Sequence, residues 1–422
     1  MWKSKSLAPS RPPRPGQLQQ VFCTVSIYNL ILRHLSPRTL VWLSQTCRYM
    51  YVACTRFFRC AYNINRHLSR YFPEPLAFRS LQARTGLVIS GFNAMHFMDR
   101  NYHASDLDLY AHPGHVHELS EWLVSVGYVF EPTQHQHKDW HENVSAGWDS
   151  TEKRFPRGQA GNLGHPAVTA ILFKRLVIVD GKPVELKVQV TETTCNPIET
   201  ILKSHSTCVL NIITFDAAHS FYPMATFEER MTLRIPQSGL CLDALGNCVK
   251  KGWRVYTLFR PQDIVQPSES PFFPNETRWV GDSRCWSILL DTSGVQSRPA
   301  PSPSSEQFSW DPSMHNGWRM SFKDAGTSPI IKVPTMDAHL VMTTAFRYNY
   351  IVPDEALALG ICIWSVPQDK IYRKVPNKQD WIWSVRLRSI YFICTHTFVY
   401  RFDAEIPRFR EAQNKLAGFY SA

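Results

Sequence analysis

The first periodic stretch of the chain is helical. Ile27, Leu30, Ile31 and Leu35 in IYNLILRHL recur at spacings of three and four, which predicts a helix with those residues inward. Ser36-Pro37 interrupts it, with the proline suited to a first helical position. A second helix is predicted through RTLVWLSQTCRYMYVACTRFF, with Leu40, Leu43, Cys47 and Met50 on one face. AYNINRHLSRYF reads as a third, stopped by Pro73 and Pro75.

After Phe78 the period changes. TGLVIS is a short apolar strand, and NAMHFMDR after Gly91 is a helix with Ala94, Phe97 and Met98 inward. SDLDLYA alternates as a strand does. HVHELSEWLVSVGY carries Val116, Leu119, Leu123 and Val126 at helical spacing and stops at Gly127. Residues 131–165 are polar and predict a long loop. AVTAILFKRLVIV and PVELKVQVT predict two strands joined at Asp180-Gly181, a favoured hairpin turn dipeptide. NPIETILKSH predicts a short helix from Asn196, and TCVLNIITFD another strand.

Past residue 265 the composition shifts to strands rich in tryptophan (Trp279, Trp286, Trp310, Trp318, Trp364, Trp381 and Trp383). QSRPAPSPSS, residues 296–305, is a Pro/Ser loop. The expected class is α+β, in four parts: a basic flexible arm at 1–20, a helical segment at 21–75, a mixed αβ domain at 76–265, and a β-rich extension at 266–422.

Charge sharpens this division. Residues 1–73 hold eleven Lys or Arg and no Asp or Glu, whereas the remaining 349 residues hold 35 of each sign. The whole net charge of +11 therefore sits at the N-terminus, where it suits nucleic acid or another acidic partner. Acid-free basic N-termini also occur in mitochondrial presequences, but SLAPSRPPRPG is too proline-rich to begin a presequence helix. The eleven cysteines show no C-x-x-C spacing, which argues for packed thiols in a reducing compartment. The expected location is cytoplasmic or nuclear, with mitochondrial as the lesser alternative. No apolar run reaches the roughly 18 residues that a membrane span needs.

Two aspartates inside an apolar strand are the main chemical signal. In a strand, Asp106 and Asp108 share one face about 7 Å apart, with Leu107 and Leu109 on the other. Such carboxylates repel and raise each other's pKa unless a cation lies between them. Mg²⁺ suits that place because it binds one or two carboxylates together with phosphate oxygens. Two such ions position an in-line attack on a nucleotide phosphate. Gly91 lies upstream at a strand-to-helix turn, where backbone N–H groups can approach a phosphate.

Strand, glycine turn, helix and an Asp-x-Asp strand, in that order, resemble the nucleotidyltransferase fold of the polymerase-beta-like superfamily over roughly residues 76–260. The resemblance is closest to fungal proteins that join this domain to an F-box-like N-terminus. FRSLQARTGLVISG, SDLDLYA and SHSTCVLNIITFDAAHSFYPMATFEER carry it. ILRHLSPRTLVWLSQTCR resembles the F-box itself, which docks substrate receptors onto the adaptor subunit of a cullin-based ubiquitin ligase. Cys23, Thr24 and Ser26 stand where F-boxes commonly show Leu-Pro and an acid. The plainer alternative is a helical hairpin packed on the domain behind it.

The resemblance implies an NTP bound with Mg²⁺ at Asp106 and Asp108, a turn formed by Ser90, Gly91 and Asn93 around the phosphates, and a third carboxylate from a neighbouring strand. Phe92 replaces the small residue usual after the glycine. Glu185 is the candidate third carboxylate and base; Gln189 shares its face of PVELKVQVT, and the register decides which one meets the aspartates. Two functions follow. One is transfer of a nucleotidyl group to an acceptor. The other is a non-catalytic substrate receptor whose residues 21–60 dock the ligase adaptor.

Weaker candidates have plain structural explanations. His135, His137 and His141 suit a solvated loop better than a metal site, lacking Cys partners. Asp99-Arg100 could orient a phosphate, and a helix-end ion pair explains it equally well. His205 with Cys208 suits packing better than a nucleophile pair. Lys250, Lys251 and Arg254 suit a surface turn better than a triphosphate site.

Overall fold

The computed structural model describes residues 24–101, 105–145, 169–193, 195–236, 241–296, 312–325, 328–341, 346 and 348–364. The arm expected at 1–20, most of the Pro/Ser loop, and Trp310, Trp381 and Trp383 lie outside the described residues. The described chain falls into two compact units divided between Asn63 and Ile64.

The first unit is helical, at Val25–Arg33, Pro37–Ser44 and Arg48–Ala61. Ser36 caps the second helix by accepting from the Thr39 amide, with Pro37 following at the first helical position. The long second helix expected from sequence is interrupted at Cys47, which becomes the exposed N-cap of the third. The first helix turns a different face inward from the one expected. Tyr28 and Leu32 are buried with Leu40, Ala53, Cys54 and Phe57, while Leu30 is 57% exposed and Ile27 and Ile31 are also exposed. Apolar residues surround most of this helix, so spacing alone admitted either face.

The second unit begins with a short helix, Ile64–Leu68, so the end of the segment expected at 21–75 belongs to it. Its main sheet comprises β1 (Val88–Ser90), β2 (Leu107–Ala111), β3 (Val129–Glu131), β4 (Thr169–Val179), β5 (Lys182–Glu192), β6 (Asn211–Ile213), β7 (Ala217–Ser220) and β11 (Trp286–Leu289). Their order across the sheet is β11-β7-β6-β1-β2-β5-β4-β3. Every pairing is antiparallel except β2 with β5. The β4–β5 hairpin turns at Asp180 and Gly181, both at positive φ as a two-residue turn of type I′ requires.

Between these lie β8 (Met231–Leu233), which pairs in parallel with β9 (Arg254–Tyr256), and β10 (Thr277–Trp279). Then follow β12 (Gly317–Ala325) and β13 (Ser328–Asp337), which form a second sheet with β10, and the pair β14 (His339–Val341) and β15 (Tyr350–Val352). The segment after residue 265 is strand-rich, as its alternation predicts, but it is not a detachable extension. β11 forms an edge of the main sheet, and Trp318, Met320 and Ile351 share one core with Val88, Leu210, Phe221 and Tyr222. The Trp318 indole donates to the Tyr222 hydroxyl at 2.9 Å, a buried polar contact that crosses the expected boundary. No helix among the described residues is long and apolar enough to cross a membrane.

Candidate functional site

The site forms where β1 ends, turns at Gly91 and enters the Gly91–Met98 helix, beside β2. Alternation places Leu107, Leu109 and Ala111 in the core, while Asp106 is exposed and Asp108 half-buried on the other face. The antiparallel register sets Ser90 opposite Asp108. A Cβ built on Gly91 would lie 2.4 Å from Asp108 Oδ2, and Gly91 has φ +72°. Only glycine fits there without strain, and the group it admits is a carboxylate of the protein itself.

On the other side of β2 the parallel register places Gln189 beside Asp108 and Val188 beside Leu107. The neighbour of the aspartate is therefore a neutral amide. Glu185 lies four residues earlier on β5, about 13 Å along the strand. It pairs across the hairpin with Leu176 and forms ion pairs with Lys174 (3.5 Å) and Lys187 (3.4 Å). The register thus separates Glu185 from the position expected of a third carboxylate. Lys187 shares the face of Gln189 one strand repeat closer to Asp106 and brings a positive charge to that side.

Two other expected ligands are turned inward. Ser90 Oγ donates to the Asn211 carbonyl at 2.7 Å. Asn93 is fully buried; its Nδ2 donates to Tyr71 Oη at 2.7 Å and Ser105 Oγ at 3.3 Å, and its Oδ1 faces His67 Nε2 at 2.8 Å. The Tyr71 hydroxyl donates in turn to the Ser105 carbonyl at 2.7 Å. The side chains of Ser90 and Asn93 are therefore spent on holding the helix and strands together, so neither is directed at a phosphate.

Burial and the neighbouring Asp106 charge push the Asp108 carboxyl up to about 7. No group of three or more His, Cys, Asp or Glu among the described residues could hold a metal ion. The site offers two carboxylates, one exposed and one pressed onto the glycine turn.

Phe92, immediately after the glycine, is held from three sides. Lys251 Nζ lies 4.4 Å from its ring centroid, and the His96 and His205 rings are 6.2 Å and 6.3 Å away. Lys251 Nζ also meets His96 Nε2 at 3.2 Å. Lys251 lies in the exposed turn expected of it, at the end of the Leu242–Lys250 helix, but nothing in its spacing from Phe92 could have linked the two. Asp99, at the C-cap of the Gly91–Met98 helix, accepts two bonds from Arg230 Nη2, each 3.0 Å. His137 accepts from the Asp139 amide in an exposed turn, in keeping with a loop role.

Comparison with protein-family models, curated proteins and solved structures finds no match. Function therefore has to be argued from the residues themselves.

Proposed function

We propose that this chain is a non-catalytic binding module built on a nucleotidyltransferase-like arrangement, joined to an F-box-like helical unit that docks the adaptor subunit of a cullin-based ubiquitin ligase. The observation that carries the first half is the pairing of Asp108 with Gln189. In-line nucleotidyl transfer needs metal ions to activate the attacking hydroxyl and to neutralise the leaving phosphate. A neutral amide beside the half-buried aspartate, a serine bonded to backbone and a phenylalanine in place of the small residue after the glycine weigh against that chemistry. The remaining polar face, with Asp106 exposed, is a surface for recognition.

The second half rests on the helical unit. Val25, Ile27, Leu30, Ile31 and Trp42 are exposed although large and apolar, which marks an interaction surface on a small helical unit. The adaptor of a cullin-based ubiquitin ligase is the partner implied by the F-box-like sequence of this unit. The test is binding of the purified adaptor to the full-length chain, beside a Leu30→Glu/Ile31→Glu variant. Binding of the wild type and loss in the variant support the proposal; equal binding, or none, by both refutes the docking half.

A further inference from the structure

Two cysteines that neither the strand pattern nor the candidate site uses are brought together by the fold. Cys208 lies in the 3-10 turn Thr207–Val209, and Cys248 in the helix Leu242–Lys250. Their sulfurs are 3.6 Å apart across 40 residues of sequence, and both side chains are fully buried. Ser206 Oγ lies 3.6 Å from one sulfur and 3.7 Å from the other, and 2.7 Å from His205 Nδ1. The Cys208 amide donates to Thr232 Oγ1 at 3.0 Å, which fixes that end of the pair. Three residues beyond Cys248, Lys251 rests on Phe92 and His96.

We propose that Cys208 and Cys248 are a modification site, a dithiol that closes to a disulfide under a peroxide oxidant and so locks the Leu242–Lys250 helix and Lys251 in place. A disulfide needs its sulfurs at about 2.0 Å, so closure draws together two sulfurs that already lie 3.6 Å apart. The contact between the two sulfurs lets either one, once ionised, attack the oxidant while the other resolves the product.

The thiolate of one cysteine attacks one oxygen of hydrogen peroxide, the O–O bond breaks, and the product is a sulfenic acid with hydroxide leaving. The second cysteine's sulfur then attacks the sulfenic sulfur, the S–O bond breaks, and the departing hydroxide takes the second thiol's proton. The first hydroxide takes the proton lost by the first thiol, so two thiols lose two protons and two electrons and one peroxide becomes two waters. This inference does not depend on the nucleotide site being silent.

The test uses the full-length protein, reduced, exposed to hydrogen peroxide, then denatured in alkylating reagent and mapped by mass spectrometry. The expected result is a cross-linked peptide pair containing Cys208 and Cys248, lighter by two hydrogens than the free thiols and restored by dithiothreitol. Amide exchange across residues 242–256 slows in the oxidised form, and Cys248→Ala removes the cross-link. Free, alkylatable Cys208 and Cys248 under peroxide that fully oxidises the exposed Cys47 and Cys60 would overturn the proposal, as would sulfinic acid at Cys248 without a cross-link. The wild-type map decides the matter even where the variant fails to fold.

Discussion

Asp108 on β2 stands in parallel register with Gln189 on β5, and its carboxylate fills the space over Gly91 on its other side. The aspartate is thus enclosed between an amide and a glycine backbone instead of facing a second carboxylate.

This enclosure gives a stability penalty with a defined sign. Asp108 rises from 3.8 in an ordinary setting to about 7 when folded. A raised carboxyl contributes stability present below 3.8 and lost as pH rises through about 7. Asp108→Asn removes that loss, so its gain in melting temperature grows from pH 5 to pH 8. Because Asp108 is only half-buried, about 4 kcal/mol is an upper bound on the effect. Thermal unfolding at the two pH values checks it, and a gain independent of pH would speak against the enclosure.

Gly91→Ala combines a clash and a strained backbone. Its Cβ meets Asp108 Oδ2 at 2.4 Å, and φ is +72°. The expected cost is about 1–3 kcal/mol in denaturant unfolding. Asp108→Ala in the same chain recovers the clash and leaves the backbone strain, so the double variant is more stable than Gly91→Ala alone.

His67 and His219 give the opposite dependence on pH. Both are buried, and desolvation lowers each from 6.5 to about 4. Such groups contribute stability present above 6.5 that is lost as pH falls towards 4, by up to about 3 kcal/mol each. Between pH 4 and pH 6.5 they work against Asp108. A His67→Gln variant, which keeps a donor for Asn93 Oδ1, flattens the acid limb of the stability curve. An unchanged acid limb in that variant would show that His67 titrates normally.

Leu30→Glu/Ile31→Glu leaves thermal stability within about 0.5 kcal/mol, because both side chains already face water. The same variant loses the adaptor. A large drop in melting temperature would instead place these residues in a core.

Local order was legible in the sequence where one face is clearly apolar. Leu107 and Leu109 alternate with Asp106 and Asp108, and Ala94, Phe97 and Met98 turn inward as their spacing predicts. Register was not legible, since Glu185 and Gln189 lie on the same face of β5 and differ only in how far the strand slides past β2. The roles of Ser90 and Asn93 were hidden for a related reason. Their partners, Asn211, Tyr71 and His67, are set by tertiary packing. The first helix defeated the pattern because Tyr28 and Leu32 compete with Leu30 and Ile31 for the inner face. The boundary at residue 265 failed because β11 returns to pair with β7.

The most direct test of the account is calorimetric titration of Mg²⁺ and NTP into the full-length protein, beside an Asp106→Asn/Asp108→Asn variant. The account predicts no Mg²⁺-dependent heat from the folded wild type. Micromolar binding that disappears in the double variant would contradict it and restore the enzyme.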